Sequence, residues 1–219
     1  MQPEFWHQRW QEQQIGFHLP DVNPHLRQRW GMLGLAPSST VLVPLCGKTR
    51  DMRWLRNQGH RVVGVELSAI AADAFFVEDG HQPVVHEDGA FCVMEADGIR
   101  ILVGDFFQLE PRHLDGAVSS WDRGSLVALP PEMRTRYAAH VRTLMPADSR
   151  VLLVTFDYAQ HEMAGPPFAV SEAEVRALYA AHAHVDLVDS VDILEQEPRF
   201  KDRGLTSLSE RVYTLTFRG

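Results

Sequence analysis

The sequence has few of the features that mark secreted, nucleic-acid-binding or membrane proteins. Two cysteines in 219 residues argue against a disulfide framework. The formal net charge of −8, without a visible cluster of lysine and arginine, argues against nucleic acid and anionic membranes as partners. No run approaches the ~18 apolar residues of a membrane span. The first ten residues, MQPEFWHQRW, lack the apolar core of a signal peptide. We therefore expect a cytoplasmic protein, and a monomer because no exposed apolar stripe stands out.

Metal-ligand motifs are also missing from the chain. None of the eleven histidines belongs to a compact ligand pattern, and the spacing of His182 and His184 is typical of a helix end. We therefore expect no metal site. Cys46 is expected to pack as a small apolar residue rather than to act as a nucleophile.

The clearest pattern in the chain is a strand, a turn, a helix and a second strand over residues 40–68. The turn contains Gly47, and Thr49 or Asp51 can cap the helix that follows. The second strand ends at Glu66. A unit of this kind places the turn and the carboxylate side by side at the carboxyl edge of a parallel sheet, where nucleotide-like ligands bind. A carboxylate at that edge can accept both hydroxyls of a ribose.

Apolar runs and helical segments alternate through the rest of the chain, which predicts an α/β fold with a mainly parallel sheet and helices on both faces. Asp97-Gly98 separates two β-like runs and predicts a hairpin. The last two strand candidates, 185–194 and 209–217, have no helix between them, so we expect one antiparallel edge strand. No linker is evident, and a single domain over residues 1–219 is expected, with residues 1–39 as an N-terminal helical segment.

Two of the predicted helices carry further information. Trp6 and Trp10 lie four residues apart, so they share one face of the N-terminal helix. They either pack this helix on the main body or form an aromatic lid over a ligand. Later in the chain, Ser171 followed by Glu174 is a capping-box pattern that predicts the start of a helix.

The first turn distinguishes between three kinds of cofactor. A phosphate loop needs a glycine five residues before Gly47, and that position is Leu42. A dinucleotide fingerprint needs three glycines, and the turn has one. S-adenosylmethionine has no phosphates and needs close backbone approach, a ribose-binding carboxylate and an apolar slot for adenine. Leu45-Cys46-Gly47, Glu66 and Asp105-Phe106-Phe107 provide these features at three successive strand ends, so S-adenosylmethionine fits best.

Several long segments of the chain also match one family in order. These segments are FWHQRWQEQQIGFH, VPLCGKTRDMRWL, VVGVELS, WDRGSLVAL, GPPF and EPRFKDRG. In them the chain closely resembles bacterial thiopurine S-methyltransferases, a branch of the class I S-adenosylmethionine-dependent methyltransferases. The resemblance implies a Rossmann-like fold with a seven-stranded sheet whose last strand is antiparallel. It also implies transfer of a methyl group to the sulfur of aromatic and heterocyclic thiols, with S-adenosylhomocysteine as the product.

The resemblance also implies roles for individual residues. Arg123 and Arg199 match the two active-site arginines. Arg123 could instead form an ion pair with Asp122 or another acid, and Arg199 could be an ordinary exposed arginine of a loop. Asp157 and Gly165-Pro166-Pro167 are expected to shape the substrate pocket. The expected cofactor-binding residues are Trp10, Phe17, Leu45, Glu66, Asp105, Phe106 and Arg123. For Trp10 the alternative is a core aromatic, and for Asp105 and Phe106 it is a capped turn.

The expected reaction is a direct in-line displacement without a covalent enzyme intermediate. Heteroaromatic thiols ionise readily, so alignment and exclusion of water are expected to matter more than a strong base. The N-terminal segment is expected to close over the site as a lid. Two alternatives remain open at this point. The main acceptor can be a selenium or tellurium compound, with a role in tellurite resistance, or the chain can be a non-catalytic protein that binds S-adenosylmethionine.

Overall fold

The computed structural model describes residues 3–219, which form two compact units that meet in sequence between Trp121 and Asp122. The first unit contains helices α1 (Pro3–Gln11), α2 (Pro24–Arg29), α3 (Asp51–Asn57) and α4 (Ala69–Glu78). Its strands are β1 (Thr40–Val43), β2 (Arg61–Glu66), β3 (Val84–Asp88), β4 (Phe91–Ala96), β5 (Ile99–Val103) and β6 (Ser119–Arg123), the last of which ends two residues into the second unit.

The strands of the first unit follow the order β3-β4-β5-β2-β1-β6. β1 is parallel to β2 and to β6, and β2 is parallel to β5. β4 is antiparallel to both β3 and β5. Every residue of β1 is buried, as is every residue of β2 after Arg61, because both strands lie inside the sheet. Their apolar runs are therefore continuous rather than alternating, as expected for central parallel strands.

The second unit contains helices α5 (Pro131–Leu144), α6 (Glu172–Tyr179) and α7 (Pro198–Lys201). Its strands β7 (Arg150–Asp157), β8 (Ala183–Asp192) and β9 (Ser209–Phe217) follow the order β7-β9-β8. β9 is antiparallel to both neighbours, which confirms the antiparallel last strand that the resemblance implies. The expected edge position is wrong, because β9 lies between β7 and β8 and the strand at the edge is β8. None of the helices within residues 3–219 is long and apolar enough to cross a bilayer.

The hairpin predicted at Asp97-Gly98 is confirmed between β4 and β5. Both turn residues have positive φ, 52° and 76°, as a two-residue hairpin turn requires. Residues 3–219 contain nine strands, two more than the seven expected. The additional strands are β3 and β4, which extend the parallel part of the sheet as an antiparallel edge. Most of β3 is exposed, so its sequence carried no burial pattern.

The predicted cap of α3 is wrong in one respect. Arg50 occupies the N-cap position and its side chain makes no cap hydrogen bond, whereas Oγ1 of Thr49 accepts one from the backbone N–H of Asp51 at 3.3 Å. Asp51 is instead buried, with 2% of its surface exposed. Its Oδ1 accepts a hydrogen bond from the backbone N–H of Asn23 at 2.8 Å, and its Oδ2 accepts one from Trp121 Nε1 at 2.8 Å. Asp51 therefore joins the N-terminal segment, α3 and β6 instead of capping a helix.

A second buried contact joins the N-terminal segment to the start of β2. Trp30 Nε1 donates to His60 Nε2 at 3.0 Å, and the two rings form an edge-to-face pair. The imidazole can accept this hydrogen bond only in its neutral form. Burial lowers the pKa of His60, so the fold favours that form.

We predict that Trp121→Phe destabilises the protein by leaving Asp51 Oδ2 buried without its donor, which costs about 1–3 kcal/mol. The substitution also removes volume from the core, so the hydrogen bond must be isolated by a double-mutant cycle with Asp51→Asn. Urea unfolding should show that Trp121→Phe costs less in the Asp51→Asn background. Equal costs in the two backgrounds would contradict the proposed contact.

We also predict that His60 makes stability depend on pH. Its pKa is lower in the folded state than the ordinary value of about 6.5. At pH values between the folded pKa and 6.5, the unfolded chain therefore binds more protons than the folded protein. This contribution to stability is present above pH 6.5 and is lost as the pH falls through the folded pKa. Unfolding of His60→Asn should depend less on pH in this window than unfolding of the wild type. His161→Asn, at an exposed position, is the control and should keep the wild-type dependence.

Candidate active site

The turn after β1 approaches its neighbours closely. Leu45 and Gly47 both have positive φ, 46° and 53°. A Cβ atom on Gly47 would lie 3.1 Å from Cζ2 of Trp10, so the indole ring packs directly against this turn. The predicted turn therefore needs its single glycine for two reasons, its backbone conformation and the aromatic ring that covers it.

The same turn also packs against β2. The backbone N–H of Cys46 donates to the carbonyl of Val65 at 2.9 Å. A Cβ atom on Gly64 would lie 2.8 Å from Sγ of Cys46 and 2.9 Å from Sδ of Met52. Only glycine at position 64 therefore lets the turn and α3 come this close to β2.

Glu66, at the end of β2, fastens this turn to the next one. Its Oε2 accepts a hydrogen bond from the backbone N–H of Gly47 at 2.7 Å, and its Oε1 accepts one from the backbone N–H of Ser68 at 2.7 Å. The side chain is buried, and burial raises the pKa of Glu66 while these backbone hydrogen bonds oppose the shift. The backbone N–H of Leu67 contributes to the same effect, so three N–H groups share the four lone pairs of the carboxylate and one lone pair remains for a ligand hydroxyl.

Cys46 lies beside this carboxyl group and is 6% exposed. Burial, together with the negative charge of Glu66, raises the pKa of the Cys46 thiol well above its usual value. The nucleophilic thiolate is therefore strongly disfavoured. Cys46 packs as a small apolar side chain, as the sequence predicted.

The residues after β5 form a capped turn. Oδ1 of Asp105 accepts a hydrogen bond from the backbone N–H of Phe107 at 2.9 Å and caps a short 3₁₀ helix, Phe106–Gln108. Asp105 is exposed and Phe106 is 6% exposed. These two residues therefore form the capped turn that was the alternative to a binding role. Their contact with adenine stays a prediction.

Aromatic side chains of the N-terminal segment gather around Phe17. Its ring centroid lies 5.6 Å from that of Trp10 and 5.8 Å from that of Trp6, in edge-to-face arrangements. Trp10 is 5% exposed, whereas Phe17 is 38% exposed. Trp10, Phe17, Leu45 and Glu66 thus lie around the first turn, while Asp105 and Phe106 follow β5, the neighbour of β2.

Arg123 is the last residue of β6 and is half-buried. The preceding Asp122 is 3% exposed, and its Oδ2 accepts a hydrogen bond from Tyr137 Oη at 2.7 Å. Burial raises the pKa of Asp122 to about 6. Successive side chains of a strand point to opposite faces, so Asp122 faces α5 and Arg123 the other side.

Arg199, the second predicted active-site arginine, lies in α7. Its Nε is 2.8 Å from Oε2 of Glu197, and its guanidinium lies over the ring of Phe200 at 4.7 Å. The Arg199 side chain is 40% exposed. An exposed pair of this kind contributes little stability, about 0–1 kcal/mol, and a bound anion can replace the glutamate.

The loop after β7 contains the predicted pocket residues. Tyr158 Oη donates to the carbonyl of Pro167 at 2.6 Å, and the backbone N–H of Phe168 donates to the carbonyl of Val127 at 2.7 Å. Asp157, at the end of β7, forms an ion pair with Arg211 of β9 at 2.6 Å. The loop is therefore fixed by specific hydrogen bonds instead of being an open connection.

Sequence reasoning missed Arg134, which is 1% exposed. Arg134, Tyr137, Ala138 and Val141 follow helical spacing and are all buried, so Arg134 occupies a position on the core face of α5. A charged residue at an apolar position of a periodic helix was the signal that could have revealed it. The predicted N-cap is confirmed, since Oγ of Ser171 accepts a hydrogen bond from the backbone N–H of Glu174 at 3.2 Å. The Glu174 carboxylate does not complete a capping box and instead binds Arg134 Nη1 through both oxygens, at 2.7 and 2.8 Å.

No group of three or more side chains able to hold a metal ion is found among residues 3–219. Glu66 provides acceptors at the first turn, and Arg123 provides a cation at the end of β6.

Comparisons with known proteins identify the family of the chain. The family model described as thiopurine S-methyltransferase matches residues 1–218. A thiopurine S-methyltransferase of Nitrosospira multiformis is 48% identical over 218 residues, covering 100% of this chain and 99% of that protein. One of Pseudomonas paraeruginosa is 50% identical over 215 residues, covering 98% and 99%.

The fold also matches a solved methyltransferase. The Burkholderia thailandensis 1,6-didemethyltoxoflavin-N1-methyltransferase, with bound 1,6-didemethyltoxoflavin and S-adenosylhomocysteine, has a TM-score of 0.64 and 20% identity, covering 99% of this chain and 87% of that chain. This likeness supports the predicted Rossmann-like methyltransferase fold. With a family match over nearly its whole length and relatives at about half identity, the chain belongs to the thiopurine S-methyltransferase family.

Proposed function

We propose that the protein transfers a methyl group from S-adenosylmethionine to the sulfur of aromatic or heterocyclic thiols such as thiopurines. Membership of the family supports this activity. The observation that carries the proposal is the buried Glu66 carboxyl group, which holds Gly47 and Ser68 and still has accepting capacity for a ribose hydroxyl. The first turn has no glycine-rich phosphate cradle, which suits a cofactor without phosphates.

The residues of the first unit provide a fitting site for this cofactor. Glu66 binds the ribose, and the turn at Leu45 provides close backbone approach for the amino-acid part. The face of Trp10 suits the sulfonium cation, because aromatic rings attract cations. Phe17 extends this aromatic surface, and Phe106 flanks the adenine.

The cofactor supplies an electrophilic methyl group, and the chain supplies alignment. Arg123 attracts the thiolate form of the acceptor and contacts the cofactor from the end of β6. Arg199 is the second arginine for the acceptor, and the exposed pair with Glu197 must open for that role. Because the thiolate is already a good nucleophile, fixed geometry and exclusion of water provide the catalysis.

The broader setting rests on the sequence. We propose a single methyltransferase domain over residues 1–219, with residues 1–39 acting as a lid over the bound cofactor. We also propose a monomer in the cytoplasm, without nucleic-acid or membrane partners, and the net charge of −8 supports the absence of those partners. Selenium or tellurium compounds are further acceptors, since their anions are nucleophiles of the same kind as a thiolate.

We predict that Glu66→Gln weakens binding of S-adenosylhomocysteine by about tenfold, and Glu66→Ala by more, because each lost hydrogen bond contributes about 0.5–1.5 kcal/mol. Isothermal titration calorimetry measures the affinity. Glu95→Gln, on β4, is the matched control and should bind as the wild type does. Equal affinity of the wild type and Glu66→Ala would remove Glu66 from the cofactor site.

We predict that Arg123→Ala lowers kcat/KM for 2-mercaptopyridine by roughly 100-fold, because the acceptor loses its alignment. Arg136→Ala, which removes an exposed arginine on α5, is the control and should retain full activity. Unchanged turnover in Arg123→Ala would exclude this residue from the mechanism. If the wild type binds the cofactor but methylates no thiol, selenium or tellurium compound, the protein is a binding protein and not an enzyme.

A further inference from the structure

Two loops of the second unit, at the carboxyl ends of β6 and β7, are joined by direct contacts. The first loop, 124–129, follows Arg123, and the second, 158–171, contains Phe168. The backbone N–H of Phe168 donates to the carbonyl of Val127 at 2.7 Å. The two loops therefore keep a fixed relation at the edge where the proposed function places the acceptor.

Arg134 is the one buried charge that contacts both loops among the contacts described within residues 122–219. Its Nε donates to the carbonyl of Leu129 at 2.9 Å, and its guanidinium lies 5.7 Å from the centroid of the Phe168 ring. Its Nη1 forms the ion pair with Glu174. Nη2 is buried and has no hydrogen-bond partner. The Phe168 ring therefore adds an attraction to the cation beyond the contacts with Leu129 and Glu174.

The Phe168 ring, which contacts the Arg134 guanidinium, also packs against the rest of its own loop. A Cβ atom on Gly165 would lie 2.5 Å from the ring, so the ring packs directly against the backbone of Gly165. Gln160 adds a further tie, since its Oε1 accepts a hydrogen bond from the backbone N–H of Ala169 at 3.0 Å. Gly165–Ala169 is therefore held from several sides, and Arg134 holds the side nearest α5.

The same helix also fixes the residue before Arg123. Tyr137 lies three positions after Arg134 on the buried face of α5 and donates its hydroxyl hydrogen bond to Asp122. α5 thus holds the end of β6 through Tyr137. Through Arg134 it also holds the loop after β6 and the loop after β7. A buried arginine is costly to keep for stability alone, because an apolar side chain of similar volume often stabilises as well.

We propose that Arg134 is a positioning residue for methyl transfer. Through Leu129 and Phe168 it holds the loop that follows Arg123 and the loop after β7 in the arrangement that aligns the acceptor. This inference rests on the proposed function, because the acceptor is assigned to this edge by that function. Arg134 itself does not contact the reacting atoms in this role.

The test compares Arg134→Met, Arg134→Lys, Phe168→Leu and the double variant Arg134→Met/Phe168→Leu with the wild type. Val141→Ala, which creates a cavity on the same face of α5, is the control for lost stability. Each variant is assayed well below its melting temperature with 2-mercaptopyridine, and its affinity for S-adenosylhomocysteine is measured by calorimetry. Arg134→Lys keeps the charge but lacks the planar fork that reaches both Glu174 and Leu129.

We expect Arg134→Met to lower kcat/KM by at least about tenfold through a higher KM for the thiol, since a small misplacement of the acceptor is costly. The affinity for S-adenosylhomocysteine should stay within about twofold of the wild type. A general loss of stability would lower this affinity as well, so the measurement separates the two effects. Arg134→Lys should recover only part of the loss. The effects of Arg134→Met and Phe168→Leu should be non-additive, because the two side chains act through one contact.

Three results would overturn the inference. Arg134→Met can prove as active as the wild type, Val141→Ala can lose as much activity at equal stability, or the two substitutions can be additive. If the wild type methylates the thiol and one of these results is obtained, this inference fails while the proposed function stands. A wild type that methylates no thiol would overturn the proposed function and this inference with it.

Discussion

The cofactor side of the structure depends on the burial of one carboxyl group between two backbone turns. Glu66 cannot leave water without partners, because an unpaired buried carboxylate is very unfavourable. The N–H groups of Gly47 and Ser68 compensate for that loss, and in doing so they fix the turn after β1 against the end of β2. The same group therefore shapes the turn, and in the proposed function it is also the acceptor for a ribose, held by hydrogen bonds that form without a ligand.

Much of this arrangement could be predicted from the sequence because its signals are local. The β-α-β unit follows from short-range periodicity, and Asp97-Gly98 has the backbone freedom that a hairpin turn needs. Glu66 was identified from its place at the end of an apolar run. Strand β3 escaped prediction because most of its residues are exposed on an edge, where no alternation is selected.

The remainder could not be predicted because it depends on pairs of residues far apart in the chain. Asp51 has the type and position of a helix cap, yet its partners lie 28 and 70 residues away. Glu174 likewise has the spacing of a capping box, and Arg134, 40 residues away, takes its carboxylate. A local sequence pattern shows where a hydrogen-bond acceptor lies in the chain. Its buried donor is determined by the tertiary fold, which brings distant residues together.

The acceptor side raises the question of a general base, since Asp122 has a pKa near 6 and precedes Arg123. Its geometry argues against that role. The carboxyl group is 3% exposed, it faces α5, and Tyr137 already donates to it. A base must come within about 3 Å of the proton that it removes, directly or through one water molecule. The shifted pKa is therefore the result of burial at a structural contact, and methyl transfer to an already ionised thiolate needs no base at this position.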